Sequence, residues 1–203
     1  MPVITISRQF GAGAWTLGER LSKRLGYRYV DEDMIKEVAS KIGASPDQVL
    51  AFEKTGGSKL MKFLDRIVSK DFIDRLITEK YAYVDEKGYV DVVKGIVQDL
   101  YWQGNVIIIG RGGQFILENY QGTFHILLVQ HFEPRILFVM EKYKLNRNEA
   151  EKAIKDRNQT RKQFLNFFSE KESHDDPITY DLVLNMNRMT LEKAEELIVK
   201  LIS

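Results

Sequence analysis

Apolar positions along the chain switch repeatedly between a strand period and a helix period. The opening run Val3-Ile4-Thr5-Ile6-Ser7 is apolar and β-branched, and it predicts a buried strand. A glycine-containing turn follows over residues 8–13. From about Ala14 to Leu25 the spacing becomes helical, with Leu17, Leu21 and Leu25 on one face and Gly26 as a natural C-cap. Residues 27–30 predict a short second strand. Asp31 then stands as N-cap of a further helix, with Met34, Ile35, Val38, Ala39 and Ile42 on one face.

Residues 45–104 predict mostly helix. Ser45 is a plausible N-cap, with Pro46 at the first helical position and Gln48 after it, and Gly56-Gly57 is a break. Residues 60–83 and 89–101 carry apolar side chains at helical spacing. Residues 105–110, Asn-Val-Ile-Ile-Ile-Gly, form the clearest strand of the chain, and their unbroken apolar run implies burial on both faces, as in a parallel sheet. Further strands are expected at 123–129 and 180–185, and helices at 133–143, 147–168 and 190–202. Strands alternating with helices give an α/β fold with a doubly wound five-stranded parallel sheet and one long helical insertion, 32–104. Ligands bind such sheets at the carboxyl ends of the strands, where strand order reverses. That rule directs attention to residues 7–16, Asp31, 110–113, 130–135 and 186–188.

The first strand–turn–helix is the place to look for phosphate binding. A glycine-rich loop entering a helix points backbone N–H groups at an anion, and the helix dipole adds to the attraction. Gly11 and Gly13 supply the curl, and Thr16 a hydroxyl. The full phosphate-loop pattern, Gly-x-x-x-x-Gly-Lys-Ser/Thr, is not met. With Gly13 as its second glycine, Arg8 holds the first glycine position, Ala14 the lysine position and Trp15 the hydroxyl position. Taken alone, the segment fits a plain tight turn equally well. Arg111, between glycines at the end of the strongest strand, is placed to fork onto a phosphate or carboxylate; the bland alternative is a solvated turn. Arg157 and Arg161 share a helix face at i, i+4, which suits either an exposed basic face or a mobile lid closing over phosphates.

Composition narrows the field. The chain has 203 residues, 44% of them hydrophobic, enough for one sizeable core with a smaller appendage. A formal net charge of +1 argues against a broad nucleic-acid surface or a charge-driven membrane association. No cysteine is present, which excludes disulfides and thiol nucleophiles. His125, His131 and His174 lack metal-ligand spacing, so no protein metal site is expected. No run approaches the about 20 apolar residues of a membrane span. A cytoplasmic protein, monomer or homodimer, is the expectation.

The segments ITISRQFGAGAWTLGERLSKRLG, YRYVDEDMIKEVA, VIIIGRGGQFIL, FEPRILFVMEK, AIKDRNQTRKQF and YDLVLNMNRMTLEKAEELI resemble, in this order, the cytidylate-kinase-like family, a branch of the nucleoside monophosphate kinases with a modified phosphate loop. The resemblance covers nearly the whole chain and is weakest over 45–104. It implies a single P-loop kinase-like domain, with an acceptor-binding helical insertion (32–104) and a lid at about 145–172. It implies ATP with Mg²⁺ and a nucleoside monophosphate, CMP or dCMP, as acceptor. Gly11, Ala12, Gly13, Ala14, Trp15 and Thr16 would hold the donor phosphates, with Arg8 standing in for the missing lysine. Asp31 and Arg111 would contact the acceptor, Arg157 and Arg161 would be lid arginines, and Asn187 and Arg188 would lie against the donor adenine. Asn158 and Gln159 depart from the aspartates of the family's lid motif. Two alternatives stay open: a non-catalytic nucleotide-binding module, and a kinase for a small non-nucleotide acceptor. Trp15 is expected to pack on the insertion, Phe164, Phe167 and Phe168 to form an apolar helix face, and His174 to lie in a surface loop.

Overall fold

Val3–Arg8 forms strand β1, and all six of its residues are buried, as an apolar run at the centre of a parallel sheet must be. The computed structural model describes residues 1–35, 38, 67–69, 71, 86–170 and 173–203. The expectations for Ala39, Ile42, the Ser45 cap, the Gly56-Gly57 break and the 60–83 helix lie outside these residues. The remaining strands are β2 (Arg28–Val30), β3 (Val106–Ile109), β4 (Thr123–Val129) and β5 (Leu182–Asn185). The helices are α1 (Ala14–Leu25), α2 (Glu86–Gln103), α3 (Gly113–Ile116), α4 (Phe132–Tyr143), α5 (Arg147–Leu165) and α6 (Leu191–Ile202).

The sheet order is β2-β3-β1-β4-β5. β1 runs parallel to β3, with Val3 opposite Val106, and parallel to β4, with Val3 opposite Thr123; β4 runs parallel to β5. The chain fills one side of β1 and then the other, so the order reverses at β1 and a crevice opens beyond its carboxyl end. On one face Ile4, Ile6, Ile107, Ile109, Ile126, Leu128 and Leu184 pack against Leu17 and Leu21 of α1 and against Ala194 and Ile198 of α6. α1 approaches closely because residue 18 is glycine. A Cβ there would sit 2.8 Å from the Tyr29 ring and 2.9 Å from Ile109 Cδ1.

The other face of β1 carries Thr5, which shares a 2.7 Å hydrogen bond with the buried Nδ1 of His125. The backbone N–H of His125 donates to Asp181 at 2.7 Å. Burial holds the His125 imidazole below its ordinary value of 6.5, outweighing the upward pull of Asp181. The unfolded chain therefore takes up a proton that the folded chain refuses, so this group's contribution is complete above the unfolded value and is lost as pH falls through it toward the lower folded one. Thermal melts from about pH 7 to about pH 5 are expected to show the wild type losing more stability than His125→Gln. Equal losses would remove His125 as the cause.

Element boundaries differ from the periodicity where the backbone turns sharply. β3 loses both predicted ends because Asn105 and Gly110 have positive φ, 48° and 78°. β5 starts at Leu182; just before it, the N–H of Asp181 donates to His125 O at 2.8 Å. α3, a single turn after the Gly110–Gly112 bend, was not foreseen. α5 stops at Leu165, and the N–H groups of Phe167 and Phe168 then bond three residues back, to Phe164 and Leu165. The aromatic trio is therefore not a helix face: Phe167 is exposed, while Phe164 and Phe168 meet edge to face at 5.3 Å. His174 is likewise not on the surface, being 5% exposed. Its ring meets Phe115 edge-on, its Nε2 is 3.2 Å from Ser169 O, and its carbonyl accepts from the Tyr180 hydroxyl at 2.6 Å.

The chain divides into two compact units, residues 1–29 with 105–203, and residues 30–104. The second contains α2, whose Val92, Val93, Ile96, Val97 and Leu100 are buried. There Asp99 accepts from the Ser69 N–H and hydroxyl and from the Gln103 side chain.

Candidate functional site

Beyond β1 the chain bends through Gly11 (φ 92°) and Gly13 (φ 88°) before α1 begins at Ala14. Such angles favour glycine, and at Gly11 space does too: a Cβ would lie 3.0 Å from Arg135 Cβ and 3.3 Å from Arg135 O. Gly13 is the N-cap of α1 and provides no side-chain cap. The first-turn N–H groups thus have no capping side chain, the arrangement that serves an anion. Above them lies an open cleft of about 370 Å³, walled by Arg8, Trp15, Phe138, Lys142 and Tyr143 around residues 11–14 and Thr16. Arg8 ends β1 on the α1 side of the sheet and is only 8% exposed. Trp15, expected to pack on the insertion, has the Lys142 ammonium 5.3 Å from its ring centroid, because the first turn of α1 faces the last turn of α4.

The turn after β3 holds three successive left-handed residues, Gly110, Arg111 and Gly112. The Arg111 guanidinium lies 5.0 Å over the Phe164 ring. Phe168 presses on Gly112 so closely that a Cβ there would come within 2.9 Å of the ring.

α5 ties these pieces together. Its N-terminus has a complete capping box, Asn146 with Glu149. Further along, Arg157, Arg161 and Phe164 recur at i, i+4 and i+7, one face of the helix. Arg157 lies 5.8 Å over the Phe10 ring, and Asn158 Oδ1 accepts from Phe10 N at 3.2 Å. Arg161 donates to Ser7 Oγ at 2.9 Å and to Asp175 Oδ1 at 2.7 Å. Asp175 Oδ2 also accepts from Gln9 at 3.3 Å. One helical face thus crosses the glycine loop, the end of β1 and the turn after β3.

Asn187 and Arg188 follow β5. Asn187 Oδ1 accepts from His131 N at 3.1 Å, and the N–H of Arg188 donates to Asn185 O at 3.0 Å. Leu191, just beyond, would lie 3.3 Å from a Cβ on Gly13, so this loop ends beside the glycine loop. Asp31 belongs to the other unit, where its Oδ1 accepts from the N–H of Asp33 and Met34 at 3.1 and 2.9 Å, the N-cap role its position suggested.

Two residues, Asp175 and Lys142, escaped the sequence as site elements, while Arg135 ends the 130–135 stretch to which the strand-end rule directs attention. Asp175 follows His174 in the chain; its partner Arg161 lies across the end of α5, and no local pattern announces the pair. Arg135, 7% exposed beneath the loop, donates from Nη1 to Phe10 O at 3.3 Å, while its Nε is buried without a hydrogen-bond partner among the described residues. Burial pulls the Arg135 pKa below the ordinary arginine value. The signal was its place in the first turn after β4. Lys142 looked like one more exposed helix lysine.

A family model described as the cytidylate kinase-like family matches residues 3–188. The chain belongs to this family. Membership in the cytidylate kinase-like family places it among kinase-like phosphotransferases. No curated protein matches the sequence. The fold is shared with an uncharacterized protein from Eubacterium ventriosum, at TM-score 0.71 and 17% identity, with 100% of this chain and 98% of that one covered. It is also shared with shikimate kinase from Bacteroides thetaiotaomicron, at TM-score 0.52 and 14% identity over 98% and 97% of the two chains. A shikimate kinase from Acinetobacter baumannii in complex with shikimate gives TM-score 0.51 and 16% identity over 100% and 93%. At these identities the likeness is one of fold. Among the described residues no helix is long and apolar enough to cross a membrane.

Proposed function

We propose that this protein transfers the γ-phosphoryl group of Mg·ATP to a nucleoside monophosphate, CMP or dCMP, in the crevice beyond β1 and β3. The observation that carries the reading is the face of α5. It sets Arg157 and Arg161 over the glycine loop and the end of β1, and Phe164 against Arg111. Phosphoryl transfer asks for in-line placement and for positive charge around the equatorial oxygens, not for covalent chemistry from the protein. Arg8 and the first turn of α1 would hold the donor phosphates. Arg111 would receive the acceptor phosphate, and Arg157 and Arg161 would neutralise charge as it develops. Asn187 and Arg188 would border the donor base. Asp31 would serve the acceptor, with 32–104 as the acceptor-binding insertion of a single kinase-like domain and about 145–172 as its lid.

Mg²⁺ in such enzymes is held chiefly by phosphate oxygens and by one or two protein oxygens. The donors present suit that role: Thr16 brings a hydroxyl to the cleft, and no cluster of three acidic or histidine ligands occurs among the described residues. When bound, the ion would offset the negative charge of the phosphates, with Thr16 as the protein residue placed to hold it. ATP, Mg²⁺ and small nucleotides are the ligands this reading calls for.

The deciding experiment is a coupled ADP-release assay with Mg·ATP and a panel of nucleoside monophosphates, on wild type and Arg111→Ala. Turnover with CMP or dCMP is expected, falling about 10²-fold in the variant. Measurable ATP binding without turnover on any monophosphate would overturn the reading.

A further inference from the structure

The glycine loop has no cation of its own: residues 11–16 are Gly, Ala, Gly, Ala, Trp and Thr. A nucleoside triphosphate brings three to four negative charges to that place, and backbone dipoles alone offset them poorly. Two cations from outside the loop line the cleft above it, Arg8 from β1 and Lys142 from the last turn of α4. No carboxylate lines it among the described residues. The cleft is therefore cationic by construction, although the loop is not.

The two cations differ in kind. Arg8 is buried at the end of a central strand, a fixed charge in the wall. Lys142 is on an exposed helix position, and its ammonium rests 5.3 Å from the Trp15 centroid and 5.7 Å from that of Phe138. Ring faces attract an ammonium but hold it weakly compared with a charged hydrogen bond to phosphate oxygen. A lysine stem has four rotatable carbons, so the ammonium can leave the rings without moving the helix. Trp15 lies in the first turn of α1, the turn whose N–H groups have no side-chain cap. A cation parked on that ring is already beside the phosphate position.

We infer that Lys142 supplies, from α4, the contact to the terminal phosphates of a nucleoside triphosphate that Ala14 and Trp15 cannot make, and that Trp15 holds its ammonium ready between turnovers. The inference rests on the phosphoryl-transfer reading above and assigns one of its missing parts. It also accounts for a tryptophan at a position where the usual pattern has a hydroxyl: the indole is the seat of the displaced cation.

The test uses the full-length protein. Lys142→Met keeps the stem and removes the charge; Lys142→Arg keeps a charge. Calorimetric titrations with Mg·ATP, ADP and AMP compare both with wild type, and thermal melts check the fold. Lys142→Met is expected to bind Mg·ATP about 10-fold or more weakly and AMP within about 2-fold of wild type, with Lys142→Arg recovering most of the loss. Trp102 is the other tryptophan of the chain, so in a Trp102→Phe background the emission reports on Trp15 alone. Mg·ATP should change that emission, and Lys142→Met should abolish the change. Unchanged Mg·ATP affinity in a folded Lys142→Met protein, or equal losses for ATP and AMP, would overturn the inference and leave the kinase reading standing. A wild type that binds no Mg·ATP would overturn both.

Discussion

Arg161→Met is expected to lower kcat for phosphoryl transfer about 10³-fold while leaving the fold intact. Arg161 is the point at which α5 reaches the sheet: its guanidinium donates to Ser7 Oγ and to Asp175, at 2.9 and 2.7 Å. On the proposed phosphoryl-transfer reading, a cation at the end of the central strand, on the helix that crosses the glycine loop, would lie where charge builds on the transferring group. Arginines in that role are worth about 10³–10⁵ in rate. The ion pair with Asp175 is partly exposed, so its own contribution to stability is modest. Loss of rate should therefore exceed loss of stability by a wide margin. Arg161→Lys should recover part of kcat, because it restores charge without the two-pronged geometry. Asp175→Asn separates the roles further. It removes the tether and keeps the cation, so it is expected to change kcat far less than Arg161→Met does. If the coupled assay finds Arg161→Met within about 3-fold of wild type, Arg161 is a structural latch and the transition-state role is lost.

Gly11→Ala carries the second large expectation, because two penalties fall on one atom. The backbone there has φ 92°, a region costing an L-residue about 1–2 kcal/mol. The added Cβ would also meet Arg135 Cβ at 3.0 Å and Arg135 O at 3.3 Å. Those neighbours are backbone and the root of a buried side chain, so neither can yield without moving the start of α4. A total of about 2 kcal/mol is expected, read as a fall in melting temperature of about 4–8 °C for a chain of this size. The functional loss should be larger, about 10²-fold in kcat/KM, since a misplacement of an ångström at the phosphates is enough. Gly26→Ala makes a useful control. It shares a positive φ, 69°, but its Cβ meets nothing within 4 Å and lies far from the loop in the chain. It should lose some stability and keep kcat/KM.

The fold was largely legible because its strongest signals are local. β3 is a continuous apolar run, β1 and β4 are mostly apolar and β-branched, and α1 repeats leucine at 17 and 21 and is capped by Gly26, whose left-handed backbone terminates it as glycine commonly does. Order along the chain then left few topologies, and β2-β3-β1-β4-β5 is one that doubly wound sheets adopt. The site was legible by half. Glycines and arginines at strand ends follow from the rule that ligands gather there, which brought out Arg8, Gly11, Gly13 and Arg111. What escaped depends on tertiary approach. Asp175 finds Arg161 only because the chain doubles back after α5, and Lys142 finds Trp15 only because α4 ends over α1. His174 was misread because a histidine followed by two aspartates looks solvated, whereas here Phe115 and the Tyr180 hydroxyl cover it. The aromatic trio misled because helical spacing continues in the letters past Leu165, where the backbone tightens and turns Phe168 toward Gly112.

The central position of β1 has a consequence for synthesis. Val3–Arg8 leaves the ribosome well before its sheet neighbours β3 and β4, the nearer of which begins at Val106. At about 5–20 residues per second, this strand waits roughly 5–20 s for the hydrogen-bond partners that will bury it. Through that interval a nascent chain carries an unpaired strand edge, the kind of surface that aggregates or recruits a chaperone. Pairing β1 at a sequence separation of about a hundred residues also makes its docking a slow, entropically costly event. The strand beside which the candidate crevice opens is thus made ahead of its partners and completed late.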